Sequence, residues 1–509
     1  MKKNYYITTP IYYVNDAPHI GHAYSSLACD VLARFKRLDG YQVHFQTGTD
    51  EHGQKVEKSA KAAGISPQEF TDKVSQQFRD LGRAMNFSED NFIRTTEPRH
   101  IKAAQALWDE MVKRGDIYLG SYAGWYAVRD EAFYDESELV NGKAPTGADV
   151  EWVEEPSYFF KLASWQDRLL EFYEKNPGFI APESRRNEVI SFVKSGLKDL
   201  SVSRTTFKWG VPIPGAPEHI MYVWVDALTN YLTAVGYPDT NSASFKQFWP
   251  ADLHMMGKDI IRFHAVYWPA FLMAAGLKPP KRVFAHGWWT NEGQKISKSL
   301  GNVIDPHDLI ARYGLDPIRY FLLREVPFGQ DGDFSHAAAI RRINTALAND
   351  FGNLVQRSLS MVQRYHEGSA PDAGQLNSAD MALLKSAHDL VNVMRKHFDV
   401  QAFHLAIEAH AQVVSAANRY IDEQAPWNLR KTDQTRLNVV LWVLIEVIRN
   451  LGITIQPVMP QSGAKILDQL VIPADQRDFK ACDIAHAVRA GTALPAPTGV
   501  FPRLEEIAA

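Results

Sequence analysis

Two short stretches hold side chains suited to handling a polyphosphate. In the first, His19-Ile20-Gly21-His22 follows a turn that runs from Asn15 through Pro18. An aromatic, β-branched run, Tyr5-Tyr6-Ile7-Thr8, precedes it, and residues 25–38 follow with helical spacing. A strand-to-helix turn of this kind leaves unpaired amides in the first helical turn. Their partial positive charge favours phosphate. Asp16 is a candidate cap, and Pro18 suits the first helical position. His19 and His22 are three apart and share a helix face, so their ring N–H groups can donate to one polyphosphate. Gly21 leaves room for a flat ligand to approach the backbone. Taken alone, two histidines at a helix start serve equally well as capping or packing residues. The second stretch is Lys295-Ile296-Ser297-Lys298-Ser299, flanked by Gly293 and Gly301. Two lysines and two serines on a glycine-bounded loop make a cationic clamp for a phosphoryl group that gains charge during reaction. Without the first stretch, this one reads as a solvated loop.

Positioning these groups takes a large chain. Its 509 residues are enough for about three domains, and 45% apolar with 22% charged residues is the composition of an ordinary globular protein. A net charge of −4 and a pI near 6.5 mean that any contact with RNA must come from local patches. Only two cysteines occur, Cys29 and Cys482, and the opening MKKNYYITTP lacks the apolar core of a signal peptide. A reduced, cytoplasmic setting is the expectation. The most apolar long run, residues 437–455, contains Asn438, Glu446, Arg449 and Asn450 and reads as a buried helix, with no membrane span expected.

Residues 1–115 alternate strand-like and helical runs as in a βαβ unit. A second strand at 43–47 has Gly48-Thr49-Asp50-Glu51-His52-Gly53 at its exit, and helices open at Ser66-Pro67 and over about 97–114. In an open parallel sheet both strand exits face one crevice. Residues 116–215, rich in aromatics and turns, read as an inserted small domain. The sheet resumes over 216–290, with a strand-like run at 221–226, a helix from 227 to 234, a strand ending at 254–259 and a last one at 283–289. Residues 291–345 hold the lysine loop, a helix opened by Asp305-Pro306, and a loop at Asp331-Gly332-Asp333-Phe334. Residues 346–509 are helical, with a stripe of Leu354, Ser358 and Met361 and further helices at 381–394, 403–421 and 437–455, before an Ala- and Pro-rich tail from 476. The expected architecture is α/β: a Rossmann-type parallel-sheet domain split by an insertion and followed by an all-α bundle.

The two signatures, in this order, resemble the HIGH and KMSKS motifs of the class I aminoacyl-tRNA synthetases, with Ile296 in place of Met, a swap of similar volume. The resemblance extends through Thr47-Gly48-Thr49-Asp50-Glu51-His52-Gly53, Tyr222-Val223-Trp224-Val225-Asp226-Ala227-Leu228, the run from Gly257 to His264, and Asp422-Glu423-Gln424-Ala425-Pro426-Trp427. It is nearest to the methionine-specific members and covers almost the whole length. It implies ATP-dependent ligation of L-methionine to tRNA(Met) through a methionyl-adenylate, with release of pyrophosphate and AMP.

Residue roles follow from the same resemblance. His19, Gly21, His22, Asp259, Lys295 and Lys298 match the ATP site, with His19, His22, Lys295 and Lys298 as the catalytic set and Lys298 as the main transition-state residue. Asp259 is equally suited to a helix cap. Asp50 matches the ammonium partner, although an aspartate there can also simply cap a turn. Ile11, Tyr13, Trp224, Ala227, Leu228, Tyr231, Ile260 and His264 match the methionine pocket, where sulfur packs well on aromatic edges. Leu228 stands where some relatives have Pro. Ordinary core packing accounts for Ile11, Leu228 and Ile260 just as well. Asn353, Arg357 and Trp427 match the anticodon contacts, and Trp427 by itself would read as core. Mg²⁺ enters with ATP. The family's insertion often holds zinc in CxxC knuckles, but Ala127 and Asp130 occupy those positions here and residues 116–215 contain no Cys or His. No structural zinc, and no other protein-bound metal, is therefore expected. Residues 116–215 correspond to the family's connective-peptide insertion, 291–345 to a stem-contact region and 346–509 to the anticodon-binding domain, and a monomer is expected. Rival readings are a synthetase for another amino acid, a small nucleotidyltransferase sharing HxGH, and a non-catalytic RNA-binding relative. Retention of His19, His22 and Lys298 argues against the last.

Overall fold

The protein's computed structural model describes residues 3–14, 17–130, 132–296 and 301–505, the side chains of Tyr122 and Glu155 excepted. Two compact units divide the chain: residues 4–18 with 43–286, and residues 1–3 with 19–42 and 287–509.

In the first unit, the seven-stranded sheet runs in the order Tyr12–Tyr13, Gln42–Asp50, Asn4–Thr8, Leu253–Gly257, Val283–His286, Ile180–Ala181, with Asn91–Arg94 pairing off Gln42–Asp50. Parallel pairing sets Thr8 beside His254 and Met256 beside Ala285. Tyr6, Ile7, Phe45, Met255, Met256 and Val283 are fully buried, as expected of strands covered on both faces. The helices Pro98–Lys113, Val223–Thr233 and Trp268–Ala274 supply that cover through Trp108, Leu232 and Trp268. Gly48 is required within its strand, because a Cβ there would lie 2.1 Å from the Ile93 carbonyl oxygen. Gly48, Thr49 and Asp50 therefore belong to the strand and do not follow it.

The insertion forms a four-stranded antiparallel sheet, Ala132–Tyr134, Ile117–Ala127, Glu151–Phe160, Leu200–Ser201, with Ile117 opposite Phe160 and Trp125 opposite Trp152. Where the family's first knuckle stands, Ala127 is buried with Ala144 and Ala148 under Tyr134 and Val150. Asp130 accepts from the Tyr134 hydroxyl at 3.1 Å and from the Thr146 hydroxyl. Apolar packing and hydrogen bonds thus fill the position.

Around the helix Ile20–Leu38, the second unit is mostly helical. Asp30, fully buried on that helix, pairs with fully buried Arg319 at 2.7 Å, and Arg319 also donates to the carbonyls of Val458 at 2.9 Å and Pro457 at 3.1 Å. Phe35 stacks on Phe398, Lys36 pairs with Asp399, and Asp39 with Arg395. The bundle comprises Asn353–Tyr365, Ser378–Asp399, Phe403–Gln424 and Gln434–Ile455. The last is the one helix among the described residues long and apolar enough to cross a membrane, and 94% of its apolar window is buried in the protein. The tail packs back: Asn344 exchanges side-chain hydrogen bonds with the Leu504 backbone, and Phe501 meets Phe351.

Three further expectations fail. Residues 221–226 are not a strand: the strand Ala216–Met221 ends there, and Val223 opens the helix Val223–Thr233. The β-branched and aromatic residues that suggested extension are instead buried around a helix, tertiary packing overriding propensity. The run 283–289 breaks at Gly287, so that Val283–His286 ends the large sheet and Trp289–Asn291 joins a small separate one. Finally, Gly332–Phe334 is a strand beside Trp289–Asn291, not a loop. Its Gly332 meets the Trp289 ring, where a Cβ would stand 3.1 Å from that ring and 2.7 Å from Val326.

Candidate active site

The helix Ile20–Leu38 begins two residues later than the sequence suggests, and His19 is its N-cap. Pro18 is therefore outside the helix and not its first residue. Asp16, like Asn15, lies outside the described residues. His19 Nδ1 accepts from the Gly21 amide at 3.1 Å, and His22 Nδ1 accepts from the His19 amide at 3.1 Å, a reciprocal capping box. Capping and ligand binding are therefore compatible. An accepting Nδ1 fixes the tautomer and puts the proton on Nε2 of each ring. Burial holds the His19 imidazole below its usual range. It lowers His22 much further, with the His19 charge adding to the effect. Both are neutral donors at physiological pH.

The same unit contains the lysine hairpin. Lys295 is exposed and pairs across from Thr290, and Gln294 across from Asn291, around a turn in which Glu292 and Gly293 have positive φ of 49° and 77°. The Asp333 carboxylate holds that turn, accepting from the Gly293 amide at 2.8 Å and the Thr290 hydroxyl at 2.6 Å. Asn302 donates to the Lys295 carbonyl at 3.0 Å, and Asn291 donates to the Asn302 carbonyl at 2.9 Å. The Ile20 amide donates to the Ile304 carbonyl at 3.1 Å, and Tyr24 meets Trp289 edge-on. The histidine turn and the hairpin are thereby tied into one framework. Lys298, with Ser297 and Ser299, lies outside the described residues.

The other unit gathers the methionine candidates. Asp50 is buried at the end of its strand, paired in parallel with half-buried Tyr13, and its carbonyl accepts from the Val14 amide at 3.1 Å. Ile11 is half-buried beside that strand. From the helix Val223–Thr233 come half-buried Trp224, stacked on Phe263 at 3.8 Å, and buried Ala227, Leu228 and Tyr231. Half-buried Ile260 and exposed Asp259 lie on a short 3₁₀ turn after the strand Leu253–Gly257.

His264 donates from Nδ1 to the Ile260 carbonyl at 3.0 Å, so its Nε2 accepts from the Tyr231 hydroxyl at 2.6 Å. Burial brings this imidazole down to about 4, which keeps it neutral. Tyr231 in turn accepts at its carbonyl from the Tyr6 hydroxyl at 2.7 Å and stacks on His254, whose Nδ1 meets the Thr8 hydroxyl at 2.8 Å. The result is an aromatic wall whose polar atoms are matched internally, chemistry compatible with a polarizable side chain.

On the helical bundle, exposed Asn353 and half-buried Arg357 stand one turn apart. Arg357 pairs with Asp422 at 3.3 Å, five residues before Trp427. Trp427 is 41% exposed and follows Ala425, whose left-handed φ of 46° ends the preceding helix. The core reading of Trp427 does not hold.

Sequence reasoning missed three groups of supporting residues. Asp333 holds the lysine hairpin. Glu51 forms a two-pronged pair with Arg94 at 2.7 and 3.0 Å. Asp226 joins His52 and His100, at 2.6 and 2.7 Å. Only the polar run Asp50-Glu51-His52 signalled the last two, since the partners come from distant segments. Among the described residues no group of three or more His, Cys, Asp or Glu side chains is arranged to hold a metal ion.

A family model described as tRNA synthetases class I (M) matches residues 5–151 and 137–359, and one described as the anticodon binding domain of methionyl tRNA ligase matches 370–508. The chain is 58% identical over 510 residues to a methionine–tRNA ligase of Brucella suis, covering 99% of both chains, and 56% identical over 512 residues to that of Mycobacterium tuberculosis, covering 99% of this chain and 98% of that one. A solved structure of the Mycobacterium tuberculosis methionyl-tRNA synthetase in complex with methionyl-adenylate superposes with a TM-score of 0.96, at 56% identity over 98% of this chain and all of that one. With family models spanning nearly its whole length and relatives of this identity, the chain belongs to the methionine–tRNA ligases of class I.

Proposed function

We propose that this protein ligates L-methionine to tRNA(Met) in two steps: methionine and ATP give methionyl-adenylate and pyrophosphate, and a terminal ribose hydroxyl of the tRNA then takes the methionyl group and releases AMP. The observation that carries this reading is the end-to-end similarity to methionine–tRNA ligases, joined to a fold that matches a relative bound to methionyl-adenylate.

In the first step the substrate carboxylate attacks the α-phosphate directly, so no protein nucleophile or general base is needed and catalysis is positioning plus charge stabilisation. Asp50 takes the ammonium. Ile11, Tyr13, Trp224, Ala227, Leu228, Tyr231, Ile260 and His264 surround the thioether. His19 and His22 donate Nε2–H to the phosphates as neutral groups, which binds them without attracting a bare anion as strongly as two cations would. Gly21 lies under the adenine, where a side chain would first meet the His19 ring, 3.0 Å from a Cβ. Asp259 receives a ribose hydroxyl, and Lys295 with Lys298 stabilises the crowded α-phosphate and the leaving pyrophosphate. Mg²⁺ travels with ATP as part of that substrate, and no step here is assigned to a protein-held ion.

Asn353, Arg357 and Trp427 read the CAU anticodon, the indole by stacking. We divide the protein into a catalytic domain of residues 1–115 and 216–290, a zinc-free insertion of 116–215 from which Ile180–Ala181 returns to pair in the large sheet, a lysine-loop and stem-contact region of 291–345, and an anticodon-binding domain of 346–509. Replacement of the knuckle by packed alanines supports the zinc-free insertion. Cys29 and Cys482 are both buried thiols outside any disulfide, which supports a reducing, cytoplasmic setting. The protein acts as a monomer.

The test is charging of tRNA(Met) transcripts with methionine. The wild type should charge the CAU transcript and fail on one with a changed anticodon, and Lys298→Ala should abolish adenylate formation while methionine still binds. Equal charging of both transcripts removes the anticodon assignment, and unchanged turnover removes Lys298 from the mechanism.

A further inference from the structure

Three segments far apart in sequence converge on one buried carboxylate. Asp226, 1% exposed, lies in the first turn of the helix Val223–Thr233. Its Oδ2 receives His52 Nδ1 at 2.6 Å and its Oδ1 receives His100 Nε2 at 2.7 Å. His52 is 5% exposed and His100 fully buried. His100 Nδ1 meets the Thr233 hydroxyl at 3.1 Å, so both of its ring nitrogens have partners. Burial pushes the Asp226 carboxyl up, but the two imidazoles pull it down more strongly, to about 2, so the carboxylate stays ionised.

The positions of these residues give the network a use. His52 stands two residues after Asp50, on a loop that Trp209 also fixes: its indole N–H donates to the Glu51 carbonyl at 2.6 Å and its carbonyl accepts from the Gly53 amide at 3.0 Å. Asp226 immediately precedes Ala227 and lies two residues after Trp224. A buried ion and its donors have steep distance dependence and no water to substitute for a lost contact. They therefore set the spacing of the segments that carry them more sharply than apolar packing does.

We propose that His52, Asp226 and His100 are positioning residues for methionine recognition: by locking the exit of the strand Gln42–Asp50 to the first turn of the helix Val223–Thr233, they set the distance between the ammonium-binding carboxylate and the thioether wall. The inference rests on the assignment of Asp50 and of that helix to methionine binding.

The ring nitrogens in use dictate the test. Asn places an amide N–H close to His Nδ1, and Gln places one close to His Nε2, so His52→Asn and His100→Gln preserve the donors while His52→Leu and His100→Leu remove them. In methionine-dependent ATP–pyrophosphate exchange, the leucine variants should raise KM for methionine at least tenfold and leave KM for ATP within twofold. The amide variants should recover most of the loss. Asp226→Asn, which keeps the volume and removes the charge, should show the same methionine-selective effect and provides the measurement if a leucine variant does not fold. Equal changes in both KM values, or amide variants no better than leucine, overturn the proposal. Asp50→Asn, run in parallel, separates the two claims: an unchanged KM for methionine there means that the pocket assignment itself has failed, whatever the histidine variants do.

Discussion

Removing one partner of the Asp30–Arg319 pair should destabilise the helix that carries His19 and His22, and removing both should largely restore it. Both side chains are fully buried, and the pair spans 2.7 Å. Breaking a buried pair from one side costs about 3–5 kcal/mol, because the surviving charge has no water to turn to. The two single changes differ. Arg319→Met leaves Asp30 with Arg34, whose Nε lies 2.8 Å away and which is 22% exposed, so the cost falls near the lower end, about 3 kcal/mol. Asp30→Leu leaves the guanidinium with the carbonyls of Val458 and Pro457 and the nearby Asp316 carboxylate, and should cost about 3–5 kcal/mol. The double variant replaces ions by apolar side chains of similar bulk and should lie within about 1–2 kcal/mol of the wild type, since such replacements are often neutral or better. Guanidinium unfolding followed by far-ultraviolet circular dichroism reads the helical unit. The expected result is a coupling of several kcal/mol in the double-mutant cycle. Additive losses would refute the reasoning, because they would mean that the pair is already solvated or that the two groups act independently.

Three further outcomes follow from the site. His264 and His410 are buried and each is lowered to about 4, His410 while meeting the Leu451 carbonyl at 3.1 Å. The unfolded chain therefore takes up protons first, and the stability these residues contribute is complete above about pH 6.5 and is lost as pH falls toward 4; between pH 7.5 and 5 each should cost about 2 kcal/mol, and His410→Gln should remove its share, as unfolding midpoints at the two pH values will show. Tyr231→Phe leaves His264 Nε2 as a buried acceptor without its hydroxyl at 2.6 Å. A loss of about 1–3 kcal/mol in stability is expected, with a rise in KM for methionine and an unchanged KM for ATP in exchange kinetics. Trp427→Ala should raise KM for tRNA by about 5- to 150-fold, the equivalent of one stacked base, and leave both exchange kinetics and the melting temperature unaltered, since the indole is 41% exposed.

Sequence legibility followed the locality of the interactions. His19-Ile20-Gly21-His22 and the lysine loop were readable as motifs because each lies within a few consecutive residues, and the helix expected to open at Ser66-Pro67 does so, with Ser66 as its cap. The capping role of the two histidines uses Nδ1, which leaves it compatible with the phosphate role proposed for Nε2. Gly332 was misread for a physical reason: Asp331-Gly332-Asp333 has turn composition, yet the glycine is there for its close approach to Trp289 and Val326 in a strand. The run at 221–226 has strand propensity, but from Val223 it forms a helix in which Val223 and Val225 bury into the core and Asp226 is claimed by two histidines. That network was invisible in one dimension: His52, His100 and Asp226 are brought together only by folding. The identity of the amino acid lay beyond composition and periodicity as well, because Trp224, Leu228, Tyr231 and His264 are indistinguishable from core residues by type and spacing.

The most direct test of the central claim is ATP–pyrophosphate exchange with each of the twenty amino acids, on protein stripped of zinc and supplied with Mg²⁺. Exchange with methionine alone, undiminished by the stripping, is the predicted result. Exchange driven by a different amino acid would contradict the pocket assignment, and no exchange with any of them would contradict the proposed activity itself.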